Sequence, residues 1–247
     1  MKTLFNKKNF YYVLGIAFIG LCWSGLALWI HQDIIFPTPW RTFHDLGILL
    51  AMKHTYVVLM TTLWRLFLAV GVSFILALVL GGVSIRRIQF ASFIRPQIAL
   101  LKTIPVASII IILLVLIGHE YSPLFITGFV IFPILYEAVY QGFQAIDNNV
   151  LDDVRMLSGI NIQVIQAIYL PLITPFLFTG LVQSLGLGLK VMIMSEFISQ
   201  PTLSIGREML FLKQNFEMGK VFAWTFLLIM IIMVLEWLLS LLKQKIS

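Results

Sequence analysis

Apolar residues fill six long runs of this chain, with short polar interruptions between them. Phe10–Ile30 continues for twenty-one residues without a charge. Thr55–Val83 is the second run, broken only by Arg65, and Phe93–Gly118 is the third, with Pro105 in its interior predicting a kink. Pro123–Phe143 carries Pro133, and Leu172–Ser199 carries Gly180, Gly186 and Gly188, small enough to let another helix approach closely. Val221–Leu242 is the last. A helix needs roughly 20 apolar residues to cross a bilayer, and each run supplies them. The pattern predicts an all-α, polytopic membrane protein with six transmembrane helices.

The interruptions have characters of their own. His31–Lys53 contains FPTPW, where Pro37 and Pro39 break the chain, and Trp40–Met52 then reads as an interfacial helix. His119–Ser122 is short enough for a tight turn, and Gln200–Lys220 is a longer polar connection. The stretch Ala145–Pro171 is the long polar interruption of the second half. Asp147, Asn148 and Asn149 can cap a helix start, and Val150, Leu151, Val154 and Leu157 follow at helical spacing. Ser158-Gly159 stops that helix, Asn161 can cap a second one, and Ile162, Ile165 and Ile168 make an apolar ridge before Pro171. Two short amphipathic helices joined by a glycine turn form a docking surface for a soluble partner.

Composition narrows the class. The 247 residues are 60% apolar and 11% charged, with a mean hydropathy of +0.99. Soluble domains average about half apolar and about a quarter charged, so that class is excluded. The formal net charge of +6 would point to nucleic acid in a soluble protein; here it reads as anchoring at the membrane, with no nucleic-acid partner. Nine basic residues (Lys2, Lys7, Lys8, Arg86, Arg87, Arg95, Arg155, Lys243 and Lys245) fall on one side of the six-span arrangement, and five (Arg41, Lys53, Arg207, Lys213 and Lys220) on the other. The positive-inside bias puts the richer side, both termini and the 145–171 loop in the cytoplasm. A secretory signal would have a shorter apolar core and a small-residue cleavage site, neither of which the first run shows. Cys22 is alone, which excludes a disulfide framework or a cysteine metal site.

The loop carries a resemblance. Counting back from Leu170-Pro171, Asp152 stands where the E-A-A loop of binding-protein-dependent ABC-importer permeases has its Glu, and Asp153-Val154 where that loop has its two alanines. Arg155 matches a common basic residue, and Ser158 replaces the glycine, with Gly159 one place late. FPTPW resembles the L-P-S-P that opens the core domain of the nitrate, sulfonate and taurine branch. RLFLAVGVSFILALVLG resembles its next helix, FIRPQIALLKTIPVASIIIILLVLIG its proline-bearing third, and SEFIS its segment after the glycine-rich fifth helix, in the same order. The resemblance covers about Phe36 to Lys243. It implies a type I ABC-importer permease-like fold with a cytoplasmic coupling helix, and a core permease domain over 55–243 after an N-terminal helix and external segment over 1–54, with 244–247 a cytoplasmic tail. It also implies a bacterial inner or plasma membrane location, a second permease copy, two ATP-binding subunits docked on Asp152, Asp153, Arg155, Leu157, Ser158, Gly159, Ile162, Ile165, Ile168 and Pro171, and an extracellular or periplasmic substrate-binding protein.

The chain shows no chemistry of its own. It lacks G-x-x-x-x-G-K-[ST], so ATP and its magnesium are expected on the partner ATPase and no cofactor on this chain. There is no H-E-x-x-H, His31, His44, His54 and His119 are scattered, and no G-x-S-x-G elbow is present; neither a metal site nor catalytic residues are expected. Charges inside the spans remain, because they are costly in hydrocarbon and face protein or water. Lys190, Glu196, Glu137 and Arg65 are the pathway candidates, with Lys102 near the inner end of the third span. Lys190 would offer a positive point to an anionic or carbonyl-bearing solute, against the plainer reading of interhelical pairing or snorkelling. Lys190 and Glu196 stand six residues apart, too far round one helix for an i,i+4 pair. A self-contained carrier or channel using these charges is the alternative, and the docking loop, which a carrier does not need, argues against it.

Overall fold

The computed structural model describes residues 2–146 and 168–246, and every regular element among them is a helix. In order these are α1 (Lys2–Ile30), α2 (Pro39–Ala51), α3 (Lys53–Arg86), α4 (Ile88–Thr103), α5 (Val106–Gln144), α6 (Leu170–Ser199), α7 (Ile205–Gln214) and α8 (Met218–Ile246). Five of them, α1, α3, α5, α6 and α8, hold segments long and apolar enough to cross a membrane.

The breaks follow from local chemistry. Pro39 sits in the first turn of α2, where its missing N–H costs nothing, and the Thr38 hydroxyl accepts the Arg41 N–H at 3.3 Å. Met52 is extended, and α3 then runs unbroken for 34 residues. A single kinked span was expected around Pro105; instead that proline separates two helices. Ile104 ahead of it is extended, as the proline ring demands, and α5 starts afresh at Val106. Within α5, Gly118 has φ 79° and ψ 175°, a backbone region open in practice only to glycine. The turn expected over 119–122 is therefore made by one residue, and helix resumes at once. Ile110 and Ile126 lie in one buried cluster with Val191, although they stand sixteen residues apart on either side of Gly118. A straight helix would hold them about 24 Å apart, so the first part of α5 folds back on the second.

The chain packs as two units, Met1–Val57 with Glu208–Ile229, and Val58–Arg207 with Met230–Ser247. In the first, the Trp23 indole N–H donates to the Pro37 carbonyl at 3.0 Å, and Phe36 meets Phe222 edge-on at 5.4 Å. Phe43 meets Phe226 in the same way at 5.0 Å, while His54 pairs with Glu208 at 3.0 Å. In the second, α5 and α6 form the main helix pair. A Cβ on Gly180 would overlap the Ala138 side chain, so glycine sets that close approach. Tyr136 donates to Ser84 at 2.8 Å and Ser73 to the Gly128 carbonyl at 3.2 Å, fastening α3 to α5. Large apolar side chains such as Val115, 81% exposed, and Leu116, 70% exposed, point outward, the surface a bilayer solvates.

Gly180→Leu should overpack the α5–α6 contact and destabilise the chain by about 1–3 kcal/mol. Gly71→Leu should not, because nothing lies within 4 Å of a Cβ there. Thermal unfolding of the two variants in detergent makes the comparison, and equal melting temperatures would remove Gly180 from the packing argument.

Candidate functional site

Two groupings of polar side chains stand out in the second unit. The first centres on Glu196 in the last turn of α6, whose side chain is fully buried. Thr62 Oγ1 lies 3.0 and 3.1 Å from its two oxygens, Arg65 Nη1 donates at 3.2 Å, and the backbone N–H of Gly206 donates at 3.3 Å. Thr62 and Arg65 share one face of α3 at i,i+3 spacing, so one helix presents both groups. Arg65 continues the network: Nη2 reaches Glu120 at 3.3 Å and the Thr202 carbonyl at 3.0 Å. Glu120 in turn accepts the Thr202 N–H at 2.7 Å and also its hydroxyl. The Thr62 hydroxyl accepts the Ile205 N–H at 3.2 Å.

The result is a clamp. It fastens the segment between α6 and α7 onto α3 and the start of the second part of α5. Gly206 makes this possible, because a Cβ there would overlap the backbone of Phe197 and the Glu196 side chain. The structure thus brings together two of the pathway candidates, Arg65 and Glu196, at 3.2 Å. It gives Glu196 no contact with Lys190, which is exposed on another face of α6.

The second grouping is a line of exposed polar residues on one face of α6. Thr179, Gln183 and Lys190 are all exposed and lie within about 40° of one another around the helix, at 100° per residue. From Thr179 to Lys190 the line rises about 16 Å. Its lower end borders two cavities. One, of about 490 Å³, lies between α5 and α6 and is lined by Glu137, Gln141, Thr179 and Gln183 among others. The other, of about 620 Å³, lies between α6 and α8 and adds Glu236 and Ser240 to the same Thr179 and Gln183. Glu137 is paired with Lys102, both partly exposed, and the two also line a third cavity of about 370 Å³ with Arg95, Tyr136 and Tyr140. Among the described residues Lys190 makes no ion pair.

Such a face is unusual for a membrane helix, since polar groups there turn to protein or water rather than lipid. Over 174 residues the chain is 24% identical to the trimethylamine N-oxide transport system permease protein TmoV of Ruegeria pomeroyi. This chain is similar to a transport permease. The match takes in 70% of this chain but 26% of that permease, so the chain spans about a quarter of its length. No protein-family model matches the sequence. With five helices long and apolar enough to cross a membrane among its described residues, the chain has the make-up of a multi-pass membrane protein.

Of the loop residues expected to dock an ATPase, Asp152, Asp153, Arg155, Leu157, Ser158, Gly159, Ile162 and Ile165 lie outside the described residues. Ile168 is half-buried in a π-helical turn leading into α6, and Pro171 is exposed in the first turn of that helix. Thr179, Gln183, Gln141 and Glu236 are neutral or isolated polar residues in apolar runs, less conspicuous in the sequence than the charged pathway candidates. The spacing of Thr179, Gln183 and Lys190 at i, i+4 and i+11 was a legible signal, because it returns to one helical face.

The clamp makes a quantitative prediction. Breaking a buried ion pair from one side typically costs about 3–5 kcal/mol, because the remaining charge stays buried. Arg65→Met alone and Glu196→Leu alone should each destabilise the chain strongly. The Arg65→Met/Glu196→Leu double variant should recover part of the loss, a coupling readable in a double-mutant cycle of unfolding midpoints. Strictly additive losses would show that the two side chains do not depend on each other.

Proposed function

We propose that this chain is the transmembrane permease subunit of an ATP-driven, binding-protein-dependent ABC importer, moving a small polar solute inward by alternating access. The observation that carries the reading is the line Thr179–Gln183–Lys190, exposed on α6 beside two polar-lined cavities. A second permease copy facing that line would close it into a polar path between two chains. The similarity to a transport permease supports the same reading.

On this reading the chain crosses a bacterial cell membrane six times, in a type I importer arrangement with both termini cytoplasmic. The crossings are α1, α3, α4 with the first part of α5, the second part of α5, α6 and α8. The fold-back at Gly118 supplies the extra crossing. The 145–171 loop would seat two ATP-binding subunits, which hold ATP and magnesium. A substrate-binding protein would deliver solute from outside. ATP-driven closure must bind the loop differently in the two states, since equal binding shifts no equilibrium. Lys190 would meet an oxygen acceptor of the solute. The amine N-oxide named for the similar permease carries one strongly polar oxygen, a group of that kind. A self-contained carrier driven by intramembrane carboxylates fits less well, because Glu137 is paired with Lys102 and Glu196 with Arg65.

Two experiments test the proposal. Ile165→Asp should still insert in the membrane yet lose ATPase copurification and transport together. A buried, unpaired carboxylate in the docking ridge costs several kcal/mol, roughly orders of magnitude in affinity. An Ile165→Asp chain that still retains its ATPase and transports would refute the ridge. Lys190→Met should abolish transport while assembly and basal ATPase activity persist; unchanged transport would return Lys190 to a structural role.

A further inference from the structure

A different cavity shares none of the polar character of the path. It measures about 370 Å³ and lies among α3, α4 and α5, with a floor of buried Ala69 and Ser73 and a rim of Val72, Leu76, Phe125 and Phe129 that is open to the outside. Ser73 spends its hydroxyl on the Gly128 carbonyl at 3.2 Å, so the lining leaves a polar solute almost nothing to bind. Water needs two or more polar partners to stay in such a space, and they are missing.

The height of the cavity identifies what fits. From Ala69 to Leu80 on α3 is about 16 Å, close to half of the ~30 Å hydrocarbon core, which is the depth of one leaflet. Six residues beyond Leu80, about 9 Å further along α3, come Arg86 and then Arg87, both exposed and both without an ion pair among the described residues. The headgroup layer is about 5–8 Å thick on each side, so arginine side chains at that offset reach back to its phosphates. Arg87, whose N–H still donates to the Val83 carbonyl at 3.0 Å, continues the groove face of α3, and Arg86 stands about 100° round it, so an acyl chain in the cavity would bring its own phosphate to the level of two guanidiniums, groups that bind phosphate in forked pairs. We infer that the groove between α3, α4 and α5 is a binding site for one acyl chain of an anionic phospholipid whose phosphate is held by Arg86 and Arg87. The inference rests on the chain lying in a bilayer, not on the transport reading.

Photolabelling of the full-length chain in phosphatidylcholine nanodiscs tests it. The probe is a trace of phosphatidylglycerol or of phosphatidylcholine with a photoactivatable group midway along one acyl chain. Each basic residue at the surface contributes about fivefold to anionic-lipid binding, so phosphatidylglycerol should label segments 69–80 and 124–132 about thirtyfold more than phosphatidylcholine. The lipid-exposed face of α1 around Phe18 and Leu21 serves as the reference for unspecific labelling. Leu76→Trp should remove the cavity label and leave the α1 label unchanged. Arg86→Gln with Arg87→Gln, placed on the exposed surface where folding is little affected, should remove the preference between the two lipids. Equal labelling by both lipids, labelling no denser than on α1, or a peptide of a second copy crosslinked into the groove would each overturn the inference.

Discussion

The buried carboxylate of Glu196 is the constraint from which much of the second unit follows. A carboxylate taken out of water must be met by donors, and the chain meets this one from three directions: the hydroxyl of Thr62, the guanidinium of Arg65 and the amide of Gly206. Meeting it fixes the register of α3 against the end of α6, because only the Thr62–Arg65 face supplies both side chains. It also fixes the path of the chain from Pro201 to Gly206, whose carbonyls and amides complete the shells of Arg65 and Glu120. Apolar packing alone would allow these helices to slide or rotate; a single set of charge-assisted bonds permits one arrangement.

Close helix contact and polar access divide the rest of α6 between them. Gly180 and Gly188 point at α5 and α3, where they let backbones approach. Thr179, Gln183 and Lys190 lie on another face and are exposed among the described residues, the first two lining the cavities beside α5 and α8. One helix therefore carries a packing face, a polar face and a terminal charge cluster in thirty residues. That is a denser assignment of roles than its nearly uniform hydropathy implies.

How far the sequence could be read depended on the range of the cause. The apolar runs and the break at Pro105 arise within a few residues, and the sequence shows their places. Whether Pro105 would bend a helix or divide it was not legible, since that turns on how the flanking segments pack. Gly118 looked like the edge of a polar turn. Its left-handed backbone, which does the folding back, depends on Ile110 finding Ile126 across the break. Arg65 and Glu196 were each visible as misplaced charges, but they lie 131 positions apart and no local pattern joins them. The line on α6 was local and could have been found by plotting the polar residues of that run on a helical wheel.

That line also bears on what it costs the chain to enter a membrane. A lysine at the middle of a lone helix in hydrocarbon costs about 2.5–3.5 kcal/mol on insertion scales, and Gln183 and Thr179 add to the burden. A copy with that face unmatched in hydrocarbon would carry this cost, lowered where water or lipid headgroups reach the lysine. The same cost supplies a driving force for pairing. On the proposed reading, a surface that covers that face relieves an insertion cost that the lone chain carries.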